Sequence, residues 1–201
     1  MKETIDCPKC GAEFEFETFP LMEYPEKILD LTAFRATCPS CGAELMLPYP
    51  CVYHNPARRV IIRFIPRGFD LSDLPAGAPV PLSGYSLRDV YSAHSFREKT
   101  LIFERGLDDR AIELLKILTI QQNPERFDVK DPDVLLLADA DEEALSFFAL
   151  AKDGNDFVLK TPSGLYDQMC AELTSPHFDE SGDFETVDSQ WVLDHFRLLE
   201  S

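Results

Sequence analysis

The sequence has no long hydrophobic run and no N-terminal export signal. No apolar stretch approaches the roughly 18 residues that a membrane-spanning helix needs, so no membrane partner is expected. The first ten residues, MKETIDCPKC, contain no apolar segment followed by small residues, which predicts a cytoplasmic protein. In a reducing compartment the six cysteines are expected to serve as thiols or metal ligands and not as disulfides.

The sequence also lacks the motifs of known catalytic sites. It contains no P-loop, no glycine-rich dinucleotide turn, no His-Glu-x-x-His motif and no Ser, His and Asp in the order of a hydrolase triad. His94 falls on an apolar helical stripe, which predicts a core or interface residue, while His177 and His195 stand in acidic surroundings. We therefore expect no enzymatic activity, with an enzyme site outside the cysteine region as the alternative.

Basic charge is scarce, and the formal net charge of the chain is −17. Residues 131–201 contain 17 acidic and 3 basic side chains, so this last third carries most of the excess negative charge. Such a surface repels phosphate backbones, and nucleic-acid binding is therefore not expected.

One group of basic residues interrupts this pattern, and it consists of Arg58, Arg59, Arg63 and Arg67. Val60, Ile62 and Phe64 alternate between them at the period of a β-strand. The arginines are therefore predicted to lie on or near a solvated strand face, and an anion-binding or acidic-partner patch is the alternative.

Four of the six cysteines lie in two copies of one short segment. Residues 7–13 read CPKCGAE and residues 38–44 read CPSCGAE, so six of the seven positions are identical. Each Cys-x-x-Cys turn supplies two thiolates, and two turns complete the tetrahedral shell that Zn²⁺ prefers. The proline pre-sets φ after the first cysteine, and the glycine permits a positive φ after the second. The predicted metal ligands are Cys7, Cys10, Cys38 and Cys41.

A structural zinc ion is the expected occupant of this site. Four thiolates leave no open coordination position, which excludes a hydrolytic metal centre. Rubredoxin-type iron is the alternative, because sequence separates the two metals poorly. Thiol–disulfide chemistry is disfavoured, since both turns lead into strand patterns and not into a helix. Cys51 is expected to be a buried strand residue, His54 a residue at a strand end or turn, and Cys170 a core residue of a helix.

The predicted fold class is α+β, with an N-terminal four-cysteine zinc ribbon extended by a β-hairpin. This domain, residues 1–67, is expected to contain strands at 13–19, 43–54 and 59–66 and an irregular or helical segment at 23–33. A connection rich in Pro and Gly over residues 68–85 is expected to lead to a second domain, residues 86–201.

The second domain is predicted to begin with a helical hairpin and to continue as an α+β part. The first helix is expected to start after Ser86, with Ser86-x-x-Asp89 as a capping box, and to end at Arg105, and the second to cover 108–122. A three-stranded antiparallel meander is expected at 133–138, 145–151 and 156–160. A helix capped by Thr161 that ends near Leu173 and a final helix capped by Asp188 are expected to follow.

Two charged segments are candidates for further binding sites. The segment DADEE at 139–143 lacks the glycine and the glutamate of an EF-hand loop, so no calcium site is expected. A second group consists of Arg105, Asp108, Asp109 and Arg110. It is interpreted as a helix cap with exposed ion pairs, and ligand binding is the alternative.

The segments CPKCGAEFEFE, CPSCGAELMLPYPCVYH and REKTLIFERGLDDRAIELLK resemble the CpXC family of bacterial and archaeal proteins, over roughly residues 5–122. The resemblance implies zinc binding through Cys7, Cys10, Cys38 and Cys41, and it implies no particular activity. The expected partners are proteins, and a homo-oligomer is possible.

Overall fold

The computed structural model describes residues 1–76, 83–127, 135–174 and 182–196, and its architecture is α+β, as predicted. By its internal contacts the chain divides into two compact units, Met1–Thr100 and Leu101–Ser201. No helix in the described ranges is long and apolar enough to cross a membrane.

The first unit is built mainly from short strands. They are β1 (Lys2–Asp6), β2 (Glu13–Glu17), β3 (Leu21–Met22), β4 (Arg35–Thr37), β5 (Glu44–Met46), β6 (Cys51–Asn55), β7 (Val60–Phe64) and β8 (Ser86–Val90). Helix α1 (Glu26–Leu29) and a 3₁₀ turn at Thr32–Phe34 occupy the segment predicted to be irregular or helical. Helix α2 (Ala93–Glu104) follows β8 and continues past the end of this unit.

Two antiparallel hairpins carry the repeated cysteine segments. Strand β1 pairs with β2, and β4 pairs with β5, so each Cys-x-x-Cys turn closes a two-stranded hairpin. The strands after the turns, β2 and β5, were predicted, whereas β1 and β4 were missed. β1 reads KETID and β4 reads RAT, and neither has enough apolar alternation to indicate a strand without its partner.

A four-stranded sheet in the order β3-β6-β7-β8 forms the centre of the first unit. Strands β6 and β7 form the predicted antiparallel hairpin, while β3 and β8 lie parallel to their neighbours. The single strand predicted at 43–54 is wrong, because β5 ends at Met46 and β6 begins at Cys51. Pro48 and Pro50 stand between them, and proline cannot donate the backbone hydrogen bonds of a continuous strand.

The predicted start of a helix after Ser86 is also wrong, since residues 86–90 are strand β8. Asp89 does not cap a helix: its two carboxylate oxygens accept hydrogen bonds from the Arg63 guanidinium at 2.7 Å each. The helix starts only at Ala93, where the Ser92 hydroxyl accepts a hydrogen bond from the Ser95 backbone N–H at 3.0 Å. His94 is exposed and does not belong to the core. Pairing with β7 outweighed the local helix signal.

The core of the first unit is centred on Phe34, which is fully buried. Its ring lies 5.3 Å from that of Tyr49, 5.2 Å from Phe64 and 6.1 Å from Phe96. The Tyr49 hydroxyl accepts a hydrogen bond from the Phe19 N–H and donates one to the Ala33 carbonyl, so its polar group is satisfied. These ring contacts pack Phe34 and Tyr49, which flank the β4–β5 hairpin in sequence, against the central sheet.

Strand β7 has no solvated face, which corrects the prediction for the arginine group. Ile61 is buried as fully as Val60 and Ile62 on the opposite side of the strand. Only Arg63 lies in β7, where it is half-buried and paired with Asp89. The other members lie outside the strand: Arg58 and Arg59 precede it and Arg67 follows it.

The second unit contains the rest of the helical pair and the meander. Its elements are α3 (Asp109–Gln122), β9 (Leu135–Ala140), β10 (Ala144–Leu150), β11 (Asp156–Pro162), α4 (Ser163–Glu172) and α5 (Ser189–Phe196). The antiparallel order β11-β10-β9 confirms the predicted meander. Gly106, with φ of 71°, follows α2 and separates it from α3, as predicted.

The caps of the second unit agree with prediction at two positions and differ at one. Asp108 accepts a hydrogen bond from the Arg110 N–H at the start of α3, and Asp188 accepts one from the Trp191 N–H at the start of α5. Thr161 is not a helix cap, because it is the buried penultimate residue of β11. The predicted strand residues before Leu135, the end of the final helix and His177 lie outside the described residues.

The predicted domain boundaries, at residues 67 and 86, stay predictions. Strand β8 nevertheless joins residues 86–90 to the sheet that contains β7.

Candidate metal centre

The two cysteine turns have the same backbone hydrogen bonds. In the first turn the Gly11 N–H donates to the Cys7 carbonyl at 2.8 Å, and the Cys7 N–H donates to the Ala12 carbonyl at 3.0 Å. In the second turn the equivalent distances, for Gly42 with Cys38 and for Cys38 with the Ala43 carbonyl, are both 2.9 Å.

The glycine of each turn has the positive φ that the sequence predicted. The angle is 73° at Gly11 and 69° at Gly42, a region that residues with a Cβ rarely adopt. The repeated sequence therefore folds into a repeated structure, and each copy closes its hairpin in the same way.

The four predicted cysteines come together at one point. Their Sγ atoms all lie within 4.8 Å of one another. The shortest separations join the two turns: 3.8 Å between Cys7 and Cys41 and 3.7 Å between Cys10 and Cys38. A tetrahedron with metal–sulfur bonds of about 2.3 Å has edges of about 3.8 Å. These four sulfurs are therefore close enough to hold a metal ion.

Each turn contributes one buried and one exposed cysteine. Cys7 and Cys38 are 2% and 1% exposed, whereas Cys10 and Cys41 face solvent. The buried pair packs with Ala43 and Leu45, and with the partly buried side chains of Phe14 and Leu47. One side of the sulfur cluster is therefore covered by apolar groups, and the other side is open to water.

Backbone amides and neighbouring thiols shift the pKa values of two cysteines in opposite directions. The Cys41 backbone N–H, assisted by that of Ser40, lowers the pKa of Cys38 to about 7. At Cys10 the backbone N–H of Ala12 lowers the pKa, but the other thiols and burial outweigh it and raise the value to about 12. Hydrogen bonds from backbone N–H groups favour the charged thiolate form, which is the form that binds a metal.

The donor set fits a soft divalent cation with a closed coordination shell. Four thiolates suit zinc or iron in tetrahedral geometry and leave no position for a reacting water molecule. In the part of the chain that the structure describes, no other group of His, Cys, Asp and Glu is arranged to hold a metal ion. The spacing of the sulfurs does not separate zinc from iron, because both form metal–sulfur bonds of similar length.

The remaining cysteines and His54 lie apart from this cluster, as predicted. Cys51 is fully buried in β6, and burial raises the pKa of its thiol. His54 lies near the end of β6 with its ring 5.8 Å from that of Tyr85. Cys170 lies in α4, as predicted, but it is only half-buried and is not a full member of the core.

The charge group at the start of α3 forms ion pairs within the chain. Arg105 pairs with Asp139, and the Asp108 carboxylate accepts hydrogen bonds from the Arg110 guanidinium at 3.0 Å. Asp109 is 1% exposed, which corrects the expectation that these ion pairs are all on the surface. The segment at 139–143 ends β9 and forms the β9–β10 turn, in which the Asp141 carboxylate accepts two backbone hydrogen bonds.

Buried charged residues are a feature that sequence reasoning missed. In the first unit they are Arg88, Glu98 and Lys99, and in the second unit Asp109, Glu113 and Lys116. The Lys116 ammonium lies 2.9 Å from the Glu113 carboxylate on the same helix. The only sequence signal is the position of these residues within otherwise apolar helical and strand patterns, which is not specific enough to identify them.

Comparison with known proteins gives one family match. The family model described as CpXC protein matches residues 5–116, which is more than half of the chain and includes all four clustered cysteines. No curated protein and no solved structure matches the chain.

Proposed function

Because this chain belongs to the CpXC protein family, we propose that it is a non-enzymatic zinc protein whose four-cysteine site is structural. The observation that carries the proposal is the sulfur cluster, in which four cysteines from two hairpins lie at the spacing of tetrahedral metal ligands. The zinc would be held by Cys7, Cys10, Cys38 and Cys41, and its role would be to join the two turns.

The hairpins supply the physical reason for a structural metal. Each is a two-stranded sheet, and isolated two-stranded hairpins are marginally stable in water. The apolar cluster behind the sulfurs is small, with four buried members of which two are the cysteines themselves. A metal that crosslinks the turns would supply the stability that this cluster lacks.

Metal content tests this proposal directly. Untagged protein purified from cells is expected to contain about one zinc ion per chain by elemental analysis and to be colourless. The Cys41→Ser variant, at an exposed ligand position, is expected to lose most of the zinc, whereas Cys170→Ser is the matched control and is expected to keep it. A chain without bound metal, or equal zinc content in both variants, would contradict the proposal.

Iron is the second candidate for the same site, and the exposed edge formed by Cys10 and Cys41 is the observation that favours it. A rubredoxin-type electron carrier needs its metal near the surface so that electrons can leave. A visible absorption spectrum separates the two candidates, because an iron tetrathiolate is coloured and a zinc tetrathiolate is not. A coloured protein with about one iron per chain would replace the zinc proposal with electron transfer.

The biological role that we propose is presentation of a protein-binding surface by the metal-stabilised hairpins. The supporting feature is a hollow of about 460 Å³ on the β4–β5 hairpin, to which Arg35, Glu44 and Met46 contribute. Met46 is 44% exposed and gives this hollow an apolar side chain that a partner could cover. The strongly acidic composition argues against nucleic acid as the partner.

Affinity capture with variants tests the interaction surface. A protein partner retained by the wild-type chain is expected to be lost on Met46→Glu and kept on Leu71→Glu, which alters a 56% exposed apolar residue elsewhere in the first unit. Both variants must keep full zinc content for the comparison to count. If both variants retain the partner, or if an enzymatic activity copurifies with the chain, the surface on β4–β5 is not the functional site.

A further inference from the structure

The edge strand β11 of the meander has an unusual distribution of side chains. The order β11-β10-β9 leaves one edge of β11 without a paired strand in the described ranges. Along this strand Asp156, Val158 and Lys160 are exposed and lie on one face, while Phe157 and Leu159 are half-buried on the other. An unpaired edge with an apolar centre is a template for pairing with another strand.

We propose that β11 is a homodimerisation edge, at which a second copy of this chain pairs antiparallel with Val158 opposite Val158 of the second copy. This arrangement would join the two three-stranded meanders into one six-stranded sheet. The proposal concerns the second unit and is independent of the metal site.

The charges along β11 favour a second copy of this chain as the pairing partner. In antiparallel pairing centred on Val158, Asp156 faces Lys160 of the second copy, and Lys160 faces Asp156 of the second copy. Opposite charges in directly facing positions stabilise a strand pair, and the two-fold axis forms this pair twice. Both side chains are exposed in the chain, so they are available for it.

Only one register satisfies these charges. A shift of the centre to Phe157 or Leu159 places Asp156 or Lys160 opposite Val158 of the second copy and leaves no oppositely charged pair among these residues. A lone lysine on an edge strand protects against pairing, but a lysine and an aspartate placed symmetrically about the centre permit it in this register. The sequence of β11 therefore selects self-pairing over indiscriminate aggregation.

The exposed apolar residues of the meander follow the same axis. Phe148 of β10 is 43% exposed and lies opposite both Val158 of β11 and Leu136 of β9. Pairing about Val158 would continue this row of three apolar side chains into the equivalent row of the second copy. Val158 is 61% exposed, and in this pairing it would lie beside Val158 of the second copy.

The expected dimer is weak and concentration-dependent. A pairing over about five residues buries less than the roughly 1,200 Å² of a stable protein interface. The net charge of −17 also repels the second copy, and this repulsion is screened beyond about 8 Å at 0.15 M salt. We therefore expect a dissociation constant between about 1 μM and a few hundred micromolar in 0.15 M salt.

Sedimentation velocity over a concentration series, with the metal-loaded full chain, measures this equilibrium. Asp156→Lys and Lys160→Asp each convert two attractive pairs into two repulsive ones and are expected to weaken the dimer at least about tenfold. The double variant D156K/K160D restores opposite charges in both pairs and is expected to return the dissociation constant to near the wild-type value. Asp167→Lys makes the same charge change on α4 and is expected to have little effect.

Circular dichroism of each variant separates loss of dimer from loss of fold. A second measurement needs no variant: amide hydrogen exchange of β11 in the wild-type chain is expected to slow as the concentration rises. A chain that is monomeric up to about 0.5 mM, which is above the expected dissociation constant, would overturn the proposal. Equal dissociation constants for the single variants and the charge-swapped double variant would also overturn it.

Discussion

Removal of the proposed zinc ion is expected to lower the melting temperature of the first unit by roughly 10–20 °C. Structural zinc in thiolate sites binds with a free energy on the order of 10 kcal/mol, which corresponds to a dissociation constant of tens of nanomolar. Free zinc at about 100 times the dissociation constant stabilises the folded state by about 2.7 kcal/mol. The unit Met1–Thr100 has the size at which 1 kcal/mol shifts the melting temperature by about 4–8 °C.

The assay is a thermal melt of the full chain with buffered free zinc, with a chelator, and with zinc restored after chelation. We expect the stability to be lost mainly in the two hairpins, because the sulfurs of the β1–β2 and β4–β5 turns are within 4.8 Å of one another and the apolar cluster behind them is small. Hydrogen exchange is therefore expected to rise first in residues 2–17 and 35–46 after chelation.

Two variants control this experiment. Cys51→Ser alters a fully buried thiol outside the cluster, so it is expected to lower stability through packing while keeping the chelator-dependent shift. Cys41→Ser is expected to abolish that shift, because it removes an exposed ligand without leaving a core cavity. A melting temperature that is the same with zinc and with chelator would refute the argument that a metal fastens the two hairpins.

Three further predictions concern the two units separately. Replacement of fully buried Phe34 by Ala is expected to destabilise the chain by about 3–5 kcal/mol in urea unfolding, whereas Ala at the 45% exposed Phe69 should cost less than about 0.5 kcal/mol; similar values for both would contradict the proposed core. Arg63→Ala, Asp89→Ala and the double variant are expected to give a coupling energy of about 0.5–3 kcal/mol, and additive effects would show that the bidentate pair contributes nothing. The backbone N–H groups of Ala144 and Glu143 lower the pKa of Asp141, so its contribution to stability is present above the unfolded-state pKa and is lost as the pH falls through the folded-state value. Asp141→Ala should therefore be less stable than wild type at pH 7 and equally stable well below pH 3.8, and a pH-independent difference would contradict this account.

The family resemblance and the cysteine cluster were both predictable, because their signals are local. Each turn needs only seven residues, and its proline, glycine and two cysteines determine its backbone conformation. The helical pair and the antiparallel pairing of β10 with β11 were predicted for the same reason. Gly106 and Gly154 each have the positive φ that a helix end and a tight turn require.

The errors occurred where a partner distant in sequence decides the structure. Residues 86–90 have the side chains of a helix start, yet β7 pairs with them and Arg63 takes the Asp89 carboxylate. Strand β1 is too polar to be recognised without β2. Short segments have weak intrinsic preferences, so one paired neighbour reverses the preference.

The sequence by itself determined the identity of the four clustered cysteines and the geometry of each turn, because both follow from chemistry within a few residues. Only the tertiary structure decided that Cys7 and Cys38 are buried while Cys10 and Cys41 face solvent. It also decided that Ile61 is buried, so that both faces of β7 are covered. Burial depends on what packs against a residue. That neighbour is set by the pairing of strands far apart in the chain, which local pattern does not encode.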